Sequence, residues 1–378
     1  MKIVLVIDQF DDANNGTTIS ARRFADGLVA RGNQVRVIAC GKPAAYKYAV
    51  HQMRFFPLVE HLITSQGMRL AVPNRHVFEK AAAWADVVHF MMPSPLGITG
   101  LRHVEKLGIP HTAAFHCQPE NITFTLHMGN SKRVNDFVYN RFRDSFFNRF
   151  THIHCPSNMI AGQLRDHGYT ARLHVISNGI SPEYQYRKLP KEPWMEGKFN
   201  LLMVGRYAGE KRQDVLIAAC AASRHAARLQ VILAGKGPLE GKYRHMGEQL
   251  KIPVVMEFYT PQRLREILAM CDLYVHTSDA EIEAMSCMEA FASGLVPVIA
   301  ESPRSATPQF ALDERSLFPA GDSAALARQI DWWIEHPQER REMEHRYAQS
   351  AEQYALARSI EQAEEMFRTA IAEQSHKG

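Results

Sequence analysis

The sequence of 378 residues lacks the features that define several classes of protein. It has no run of about 18 apolar residues, which excludes a helix able to cross a bilayer. It contains neither a glycine-rich P-loop for a nucleoside triphosphate nor a DxD motif for a metal-bound nucleotide. No group of His, Cys, Asp and Glu has the spacing of metal ligands. We therefore expect no metal centre.

Cysteine and net charge are also low. The six cysteines form no CxxC pair and fall mostly in apolar segments, which is typical of small buried side chains in a reducing compartment. A net charge of +4 is too mild to imply a nucleic-acid partner. The first residues, MKIVLVIDQFDD, turn acidic early and lack a small-residue cleavage site, so they predict a first strand and not a signal peptide.

Short β-branched runs alternate with helical patterns along most of the chain. Before residue 180 the runs are KIVLVI, VRVIA, DVVHFM, HTAAF, THIHC and LHVIS, and after it they are NLLMVG, LQVILAG, VVMEFY, LYVHT, VPVIA and SLF. Continuous apolar strands between helices indicate parallel sheets covered on both faces. Two such sets, separated by the proline- and charge-rich segment from Ser181 to Lys198, predict two Rossmann-like α/β domains.

Two glutamates eight positions apart, Glu281 and Glu289, are the most informative residues of the chain. They lie in a stretch that predicts a loop, a short helix, a C-cap at Gly294 and the buried strand VPVIA. The bare amides of a helix N-terminus favour phosphate. The segment could thus offer amides to a diphosphate, Glu281 to a sugar and Glu289 to a ribose, although glutamates at this spacing also occur on the solvated faces of amphipathic helices.

Further candidates follow two strands of the second domain. Arg206 and Lys211 come directly after NLLMVG, where open α/β sheets bind ligands, and could grip one diphosphate. The same pair would also fit an ordinary solvent-exposed helix start. Gly235 and Gly237, in GKGPLEG after the next strand, let the backbone approach a ligand or simply turn tightly.

The first domain offers polar groups at two strand ends. Gly16 opens a helix after strand one and would let its loop approach a phosphate or sugar, or form a plain turn. His116 follows HTAAF, with Gln118 and Glu120 next to it, a concentration of polar groups that suits a sugar or an acceptor hydroxyl. A lone histidine is more often structural, and His276 is interpreted in that way.

A basic and aromatic segment, Ser131 to Phe150, has two interpretations. It predicts either a helix at an anionic membrane surface or an amphipathic helix packed on the sheet. A second apolar-basic stretch, which starts at Tyr46, could widen a membrane patch. The residues that such a surface would use are Lys132, Arg133, Phe137, Arg141, Phe142, Arg143, Phe146 and Arg149.

The motifs GRYAGEK, LAGKGP and the Glu281–Glu289 segment, in this order, resemble those of the retaining family 4 glycosyltransferases of GT-B fold. Within that family HCQPENI, HIHCPS, VISNG, AEIEAMSCMEA and SATPQFALDERSLF are most similar to bacterial lipid α-glucosyltransferases. The resemblance implies an α/β fold of two Rossmann-like domains whose parallel sheets face across a cleft. It implies an acceptor-binding domain at 1–182, completed by a helix at about 358–378, and a nucleotide-sugar-binding domain at 199–357.

The resemblance also assigns roles to individual residues. Arg206 and Lys211 match the pair that holds the donor diphosphate, and Gly16 matches the glycine against it. Glu281 matches the glutamate for the sugar hydroxyls, Glu289 the one for the ribose, and His116 the histidine near the transferred sugar. The family has Gly-Phe-Gly after the first glutamate, whereas this chain has Ile282, Glu283 and Ala284, followed by Met285, in the donor loop.

The function implied is transfer of glucose from UDP-glucose to the hydroxyl of a membrane lipid, diacylglycerol or a sterol, with retention and without a metal. The protein would then act in the cytoplasm, on the inner face of the membrane. Three alternatives stay open: a soluble or polysaccharide acceptor, a non-catalytic nucleotide-sugar-binding protein, and an epimerase on a similar fold.

Overall fold

The computed structural model describes residues 1–11, 15–57, 60, 63–64, 67–125 and 128–376. Within these residues the chain forms two compact units. Unit 1 comprises Met1–Pro119, Asn130–Asn178 and Leu356–Gly378, and unit 2 comprises Glu120–Gly129 and Gly179–Ala355.

Unit 1 is built on a seven-stranded sheet with the order β3-β2-β1-β4-β5-β6-β7, in which every neighbouring pair is parallel. All residues of β1 except the first are buried, because a parallel sheet is covered by helices on both faces. The strands are β1 Lys2–Gln9, β2 Gln34–Cys40, β3 Lys47–Val50, β4 Val87–Phe90, β5 His111–Ala114, β6 His152–Cys155 and β7 Arg172–Val175.

Several helices of unit 1 begin where the sequence supplies a capping side chain. Asn15 accepts a hydrogen bond from the Thr18 amide, and Ser94 accepts one from Gly97 with a proline at the next position. The helices are α1 Gly16–Ala30, α2 Arg75–Trp84, α3 Pro95–Lys106, α5 Lys132–Ser145, α6 Asn158–Asp166 and α13 Leu356–Ser375. A further helix, α4 Pro119–Thr125, falls almost wholly within unit 2.

The C-terminal helix α13 completes the core of unit 1. Its buried Ile360, Met366 and Phe367 join Leu5 of β1 and Phe24 of α1 in one apolar cluster. The segment 356–378 therefore belongs with the N-terminal half of the chain, although almost the whole of unit 2 separates them in sequence.

Unit 2 repeats the architecture with a six-stranded parallel sheet in the order β10-β9-β8-β11-β13-β15, and a two-stranded pair of β12 with β14. Its strands are β8 Phe199–Val204, β9 Leu229–Ala234, β10 Val254–Glu257, β11 Leu273–His276, β12 Ala280–Glu281, β13 Pro297–Glu301, β14 Arg304–Ser305 and β15 Leu317–Pro319. Its remaining helices are α7 Gln213–Ala222, α8 Glu240–Leu250, α9 Pro261–Met270, α10 Met285–Ala292, α11 Ser323–Glu335 and α12 Pro337–Ser350.

The predicted fold class is confirmed, since both units are α/β with parallel sheets. All twelve predicted runs form strands. The sequence did not predict β3, which lies in the stretch that begins at Tyr46 and was interpreted as a membrane patch; part of that stretch lies outside the described residues. Its Lys47 is buried and pairs with Asp11 at 2.7 Å, so it is not available to a membrane.

The segment Ser181–Lys198, predicted as a linker, lies within unit 2 and is packed there. Tyr184 and Met195 are buried, and Lys191 forms an ion pair with Asp272 at 2.6 Å. Its proline and charge content predicted a boundary, but its few apolar side chains were enough to fix it to the unit.

Candidate active site

The strand order of unit 2 marks the position of a ligand site. The chain runs from β8 outward through β9 and β10, and then returns to place β11 on the other side of β8. In open parallel sheets, ligands bind beyond the carboxyl ends of the strands at such a switch point. Arg206 and Lys211 follow β8, and Glu281 follows β11. The fold therefore brings these three predicted residues to the same edge.

Lys211 and Glu281, 70 positions apart in sequence, form an ion pair. Both side chains are largely shielded, with 21% of Lys211 and 12% of Glu281 exposed. Burial alone would raise the pKa of Glu281, but the Lys211 charge and the hydrogen bonds from His276 and Lys211 outweigh it and hold the pKa well below its ordinary value. Glu281 is thus a carboxylate at neutral pH.

Backbone pairing fixes the position of Glu281. It ends the short strand β12, where it pairs with Ser305 of β14, and its carbonyl accepts a hydrogen bond from the Ala306 amide at 2.9 Å. The loop that precedes β12 is tied to the turn after β8, since the Thr277 hydroxyl donates to the Lys211 carbonyl at 2.8 Å and the Asp279 amide donates to the Glu210 carbonyl at 2.7 Å. Lys211 and Glu281 are therefore held by both backbone and side chains.

The Arg206 guanidinium is only partly satisfied. Its Nη2 pairs with the buried Glu210 at 2.8 Å, while Nη1 is buried and has no hydrogen-bond partner among the described residues. A buried donor without a partner is costly, and an anionic ligand would satisfy it. Sequence reasoning missed Glu210, which orients this arginine.

Glu289 lies in the second turn of α10, and its residue is 8% exposed. The helix begins at Met285 after Ala284, which has the left-handed φ of +62° and offers no side-chain cap. Ile282 and Glu283 form the turn between β12 and α10, and Glu283 is buried. The two glutamates thus sit on either side of the helix N-terminus, as the sequence predicts.

Gly235 and Gly237 have a packing role in this structure. A Cβ on Gly235 would lie 2.0 Å from the Gly205 carbonyl oxygen, and one on Gly237 would lie 2.5 Å from the Tyr207 carbonyl oxygen. Tyr207 also exchanges backbone hydrogen bonds with this loop, through Lys236 and Leu239. The glycines allow the loop after β9 to support the turn that carries Arg206 and Lys211; their predicted contact with a donor stays a prediction.

In unit 1, His116 is buried just beyond β5, and its Nε2 has no hydrogen-bond partner among the described residues. Its ring meets that of His154 edge-on at 5.2 Å between centroids. Burial, together with the neighbouring His154 and His89, holds the pKa of His116 well below its ordinary value of 6.5. It is therefore a neutral imidazole that could exchange a hydrogen bond with a hydroxyl.

The remaining predicted residues of the first half are placed as follows. Gly16 begins α1 next to the capping Asn15, and the loop residues 12–14 that precede it lie outside the described part of the chain. Gln118 is buried in unit 1, whereas Glu120 is buried in unit 2. Their predicted contact with an acceptor stays a prediction.

The basic and aromatic segment is largely structural. Helix α5 ends at Ser145, so Phe146 turns into the core, where it is fully buried and meets Phe90 edge-on at 6.1 Å. Arg149 forms a two-point ion pair with Glu105, one contact of which is 3.0 Å. The predicted stripe assumed one continuous helix, and the break after Ser145 removes Phe146 and Arg149 from any membrane surface.

One face of α5 remains open to solvent. Arg143 donates to the His167 carbonyl at 2.6 Å and pairs with Asp144, and Phe142 is half-buried. Phe137 is 69% exposed. The side chains that stay available on this helix are Lys132, Arg133, Phe137 and Arg141. Among the helices described, none is long and apolar enough to cross a membrane.

Two family models match the chain, each over one half. Glycosyltransferase Family 4 matches residues 14–184, and Glycosyl transferases group 1 matches residues 186–353. Because the two matches together cover both α/β units, the chain belongs to the glycosyltransferases of GT-B fold that combine these domains. The predicted family and the predicted hexosyltransferase class are confirmed.

Known proteins resemble the chain over most of its length. The alpha-monoglucosyldiacylglycerol synthase of Streptococcus pneumoniae is 22% identical, with 79% of this chain and 71% of that protein covered. A GDP-mannose-dependent alpha-mannosyltransferase of Mycolicibacterium smegmatis is 28% identical, with 79% of each covered.

Solved structures resemble it as well. The Anabaena protein HepE in complex with UDP and glucose has a TM-score of 0.74 and 18% identity, with 98% of this chain and 100% of that chain covered, and shows the same fold. The catalytic domain of cholesterol-alpha-glucosyltransferase from Helicobacter pylori is 47% identical, covering 42% of this chain and 99% of that chain, with a TM-score of 0.41.

Proposed function

We propose that this glycosyltransferase moves glucose from UDP-glucose to a hydroxyl of a membrane lipid, diacylglycerol or a sterol, and forms an α-glucoside. Binding of a nucleotide-sugar donor is supported by the shielded ion pair of Lys211 and Glu281 at the switch point of unit 2. The Nη1 of Arg206, which follows the same strand as Lys211, has no hydrogen-bond partner among the described residues. A nucleotide sugar combines the groups that these side chains bind best: an anionic diphosphate and a polyhydroxylated ring.

Each residue has a definite chemical task in this proposal. Arg206 and Lys211 bind the diphosphate and stabilise the negative charge that grows on it as the sugar departs. Glu281, held as a carboxylate, accepts hydrogen bonds from sugar hydroxyls, and Glu289 accepts those of the ribose. His116, neutral at pH 7, would contribute a hydrogen bond to the transferred sugar.

Retention follows from a substitution on one face of the sugar. The acceptor oxygen forms a bond to the anomeric carbon on the side from which the diphosphate oxygen leaves, and that departing oxygen takes the acceptor's proton. UDP and the α-glucoside are the products. The protein supplies position and charge in this step, which preorganised cations provide without reorganisation. With Arg206 and Lys211 in that role, no divalent metal is required.

Two findings support the lipid acceptor. The streptococcal relative is named for glucosylated diacylglycerol, and its similarity spans 79% of this chain. Helix α5 also exposes three cationic side chains, Lys132, Arg133 and Arg141, together with Phe137, a combination that favours an anionic lipid surface. The second candidate is mannose from GDP-mannose, because the mycobacterial relative is named for that donor.

A transfer assay distinguishes these candidates. Purified protein is incubated with radiolabelled UDP-glucose or GDP-mannose and with phosphatidylglycerol vesicles that contain diacylglycerol, cholesterol or neither, with and without EDTA. We expect label in an organic-phase product from UDP-glucose, dependent on diacylglycerol or cholesterol and unaffected by EDTA.

Variants of the site complete the assay. Glu281→Gln and Lys211→Ala are expected to lower transfer at least 100-fold, which is the scale seen when one preorganised charge at a leaving group is removed. Glu192→Gln, which breaks a solvent-exposed ion pair with Arg263 in the same unit, is the control and should keep full activity. Full transfer by both site variants, or labelling only from GDP-mannose, would contradict the proposed donor site or donor.

A further inference from the structure

A buried row of polar side chains lies behind the carboxylate of Glu281. His276, the last residue of β11, places Nε2 3.2 Å from Glu281 Oε1. Its other ring nitrogen, Nδ1, lies 3.3 Å from the hydroxyl of Tyr274, and that hydroxyl lies 3.1 Å from Oγ of Ser286 in the first turn of α10. The row joins β11, the end of β12 and the start of α10.

The two inner side chains of the row are sealed from solvent. Tyr274 is fully buried and His276 is 1% exposed, and their rings stack because residues two apart on a strand share a face. Burial raises the pKa of Tyr274 well above its ordinary value of 10, so the hydroxyl keeps its proton. Side chains in so confined a place have few rotamers, and a contact that they make is a fixed one.

The hydrogen-bond roles along the row follow from the carboxylate. An ionised carboxylate only accepts, so the His276 nitrogen that faces it carries the proton. The Tyr274 hydroxyl donates to Ser286 Oγ at 3.1 Å, and the other ring nitrogen of His276, Nδ1, lies 3.3 Å from that hydroxyl. Tyr274 therefore fixes the ring orientation of His276, in the way that outer residues fix metal-bound histidines.

Lys211 and His276 contact the same carboxylate oxygen of Glu281. Lys211 Nζ and His276 Nε2 each meet Oε1. Among the residues that the structure describes, no hydrogen bond or ion pair reaches Oε2. Because Oε1 is held by two contacts, the orientation of the carboxylate is restricted, and Oε2 points in one direction.

We propose that Tyr274 and His276 are positioning residues that fix Oε2 of Glu281 for the hydroxyls of the donor sugar. The inference rests on the proposed function, since it names the group that orients the sugar-binding carboxylate. Lys211 alone would not suffice, because a flexible ammonium holds its partner by charge and leaves it free to rotate. The imidazole, held by burial and by stacking on Tyr274, supplies a second contact with the same oxygen at 3.2 Å.

Calorimetric titration with UDP and with UDP-glucose tests this role. UDP lacks the sugar, so a residue that acts through Glu281 changes the affinity for UDP-glucose and leaves that for UDP unchanged. We expect His276→Leu and Tyr274→Phe to weaken UDP-glucose binding about tenfold, as loss of an orienting outer residue does at other sites, with UDP within twofold of the wild type. His276→Gln, whose amide can replace Nε2–H, should recover most of the loss.

A matched control separates position from stability. Tyr347 of the same unit is also fully buried, and its hydroxyl bonds Ser316 Oγ at 2.8 Å and accepts from the Leu312 amide at 2.9 Å. Tyr347→Phe should leave both affinities unchanged. Equal loss of UDP and UDP-glucose in His276→Leu and Tyr274→Phe, or no loss in either, would overturn the positioning role. A wild type that binds UDP-glucose no differently from UDP would overturn the proposed use of Glu281 itself.

Discussion

Ala284 occupies a backbone conformation that residues with a side chain rarely adopt. Its φ is +62° and its ψ is +66°, directly before the first residue of α10. In the left-handed region the Cβ crowds the following carbonyl, at a cost of about 1–2 kcal/mol that glycine avoids. The family that the sequence resembles has glycine at this position, so the structure gives the physical reason for that glycine and shows that this chain keeps the conformation without it.

Replacing Ala284 with glycine should therefore stabilise unit 2. The relieved strain exceeds the entropy that a glycine loses on folding, and we expect a gain of about 0.5–1 kcal/mol in the free energy of unfolding. Urea denaturation of the two proteins measures the difference. Lys251→Gly is the control, because Lys251 has a φ of +55° at the end of α8 and should give a similar gain. A loss of stability in Ala284→Gly alone would show that its side chain contributes packing that outweighs the strain.

Single residues also show what sequence could predict of the site. Arg206, Lys211 and Glu281 were identifiable because each follows an apolar strand, and strand ends are where such sheets bind ligands. His276 also ends a strand but was interpreted as structural. Its contact with Glu281 depends on the two-residue strand β12, which places Glu281 next to His276. A strand of two residues is too short to show a hydrophobic periodicity in the sequence.

Among the elements, the turn after β8 depends on the loop after β9. Gly237 faces the Tyr207 backbone, with its Cβ position 2.5–2.6 Å from the Tyr207 carbonyl oxygen and amide nitrogen. Gly241, four residues later in α8, has nothing within 4 Å of its Cβ position. A side chain at Gly237 would therefore clash with backbone, whereas one at Gly241 would find open space.

Alanine at these two positions should have different effects. Gly237→Ala pushes against backbone that cannot yield, so we expect a loss of about 1–3 kcal/mol in stability and a displaced Arg206–Lys211 turn with weaker UDP binding. Gly241→Ala, in the first turn of α8, should leave stability unchanged or raise it by a few tenths of a kcal/mol, because alanine has a higher helix propensity than glycine. Denaturant unfolding and UDP titration of both variants measure this. Unchanged UDP affinity in Gly237→Ala would contradict the supporting role of this loop.

The end of helix α5 was not predicted from the sequence. Its apolar spacing predicted one stripe through Phe150, but Phe146, Phe147 and Phe150 are buried after a break in the helix. Phe146 has neither a proline nor a glycine next to it that would mark the break. Its φ of −143° and ψ of −63° accompany tertiary packing against Phe90 and Phe150, which a single sequence does not display.

At the scale of the whole molecule, the two units carry different acid sensitivities. Unit 1 buries three neutral histidines: His89, His116 and His154. Burial lowers the pKa of His89 to about 3 and that of His154 to about 4, and it holds that of His116 well below 6.5. Asp8 of the same unit opposes them, because burial raises its pKa to about 6.

The direction of the effect follows from proton binding. Below pH 6.5 the unfolded chain protonates each histidine while the folded unit does not, so stability is present above pH 6.5 and is lost as pH falls toward 4. Asp8 binds its proton in the folded state first and offsets one histidine between pH 6 and 4. Each uncompensated group contributes about 1.4 kcal/mol per pH unit. The half-buried His174 of unit 1 adds to the loss, because burial lowers its pKa to about 4.

Unit 1 should therefore open before unit 2 at pH 5. The depressed pKa of Glu281 in unit 2 makes its contribution fall only below about pH 4.5. Hydrogen exchange, corrected for intrinsic rates, should show lost protection in peptides of β1 and β6 at pH 5 but not in those of β8 and β11. His154→Gln should reduce the difference. Equal loss in both units would contradict the assignment of neutral histidines to unit 1.

The sequence predicted the whole-molecule architecture best. Alternating apolar strands and helices required parallel sheets. The strand order, with its switch point between β8 and β11, was not predicted. The assignment of Glu120–Gly129 to unit 2 was not predictable, because it depends on contacts such as the guanidinium of Arg304 over the ring of Phe124 at 5.2 Å.

Proton NMR can follow UDP-glucose in the presence of the protein and of diacylglycerol or cholesterol micelles. It reports the donor consumed, the UDP released and the anomeric configuration of the product in one experiment. We predict that the wild type produces UDP and an α-glucoside together, and that Glu281→Gln and Lys211→Ala produce neither. A β-glucoside, or undiminished turnover in both variants, would contradict it.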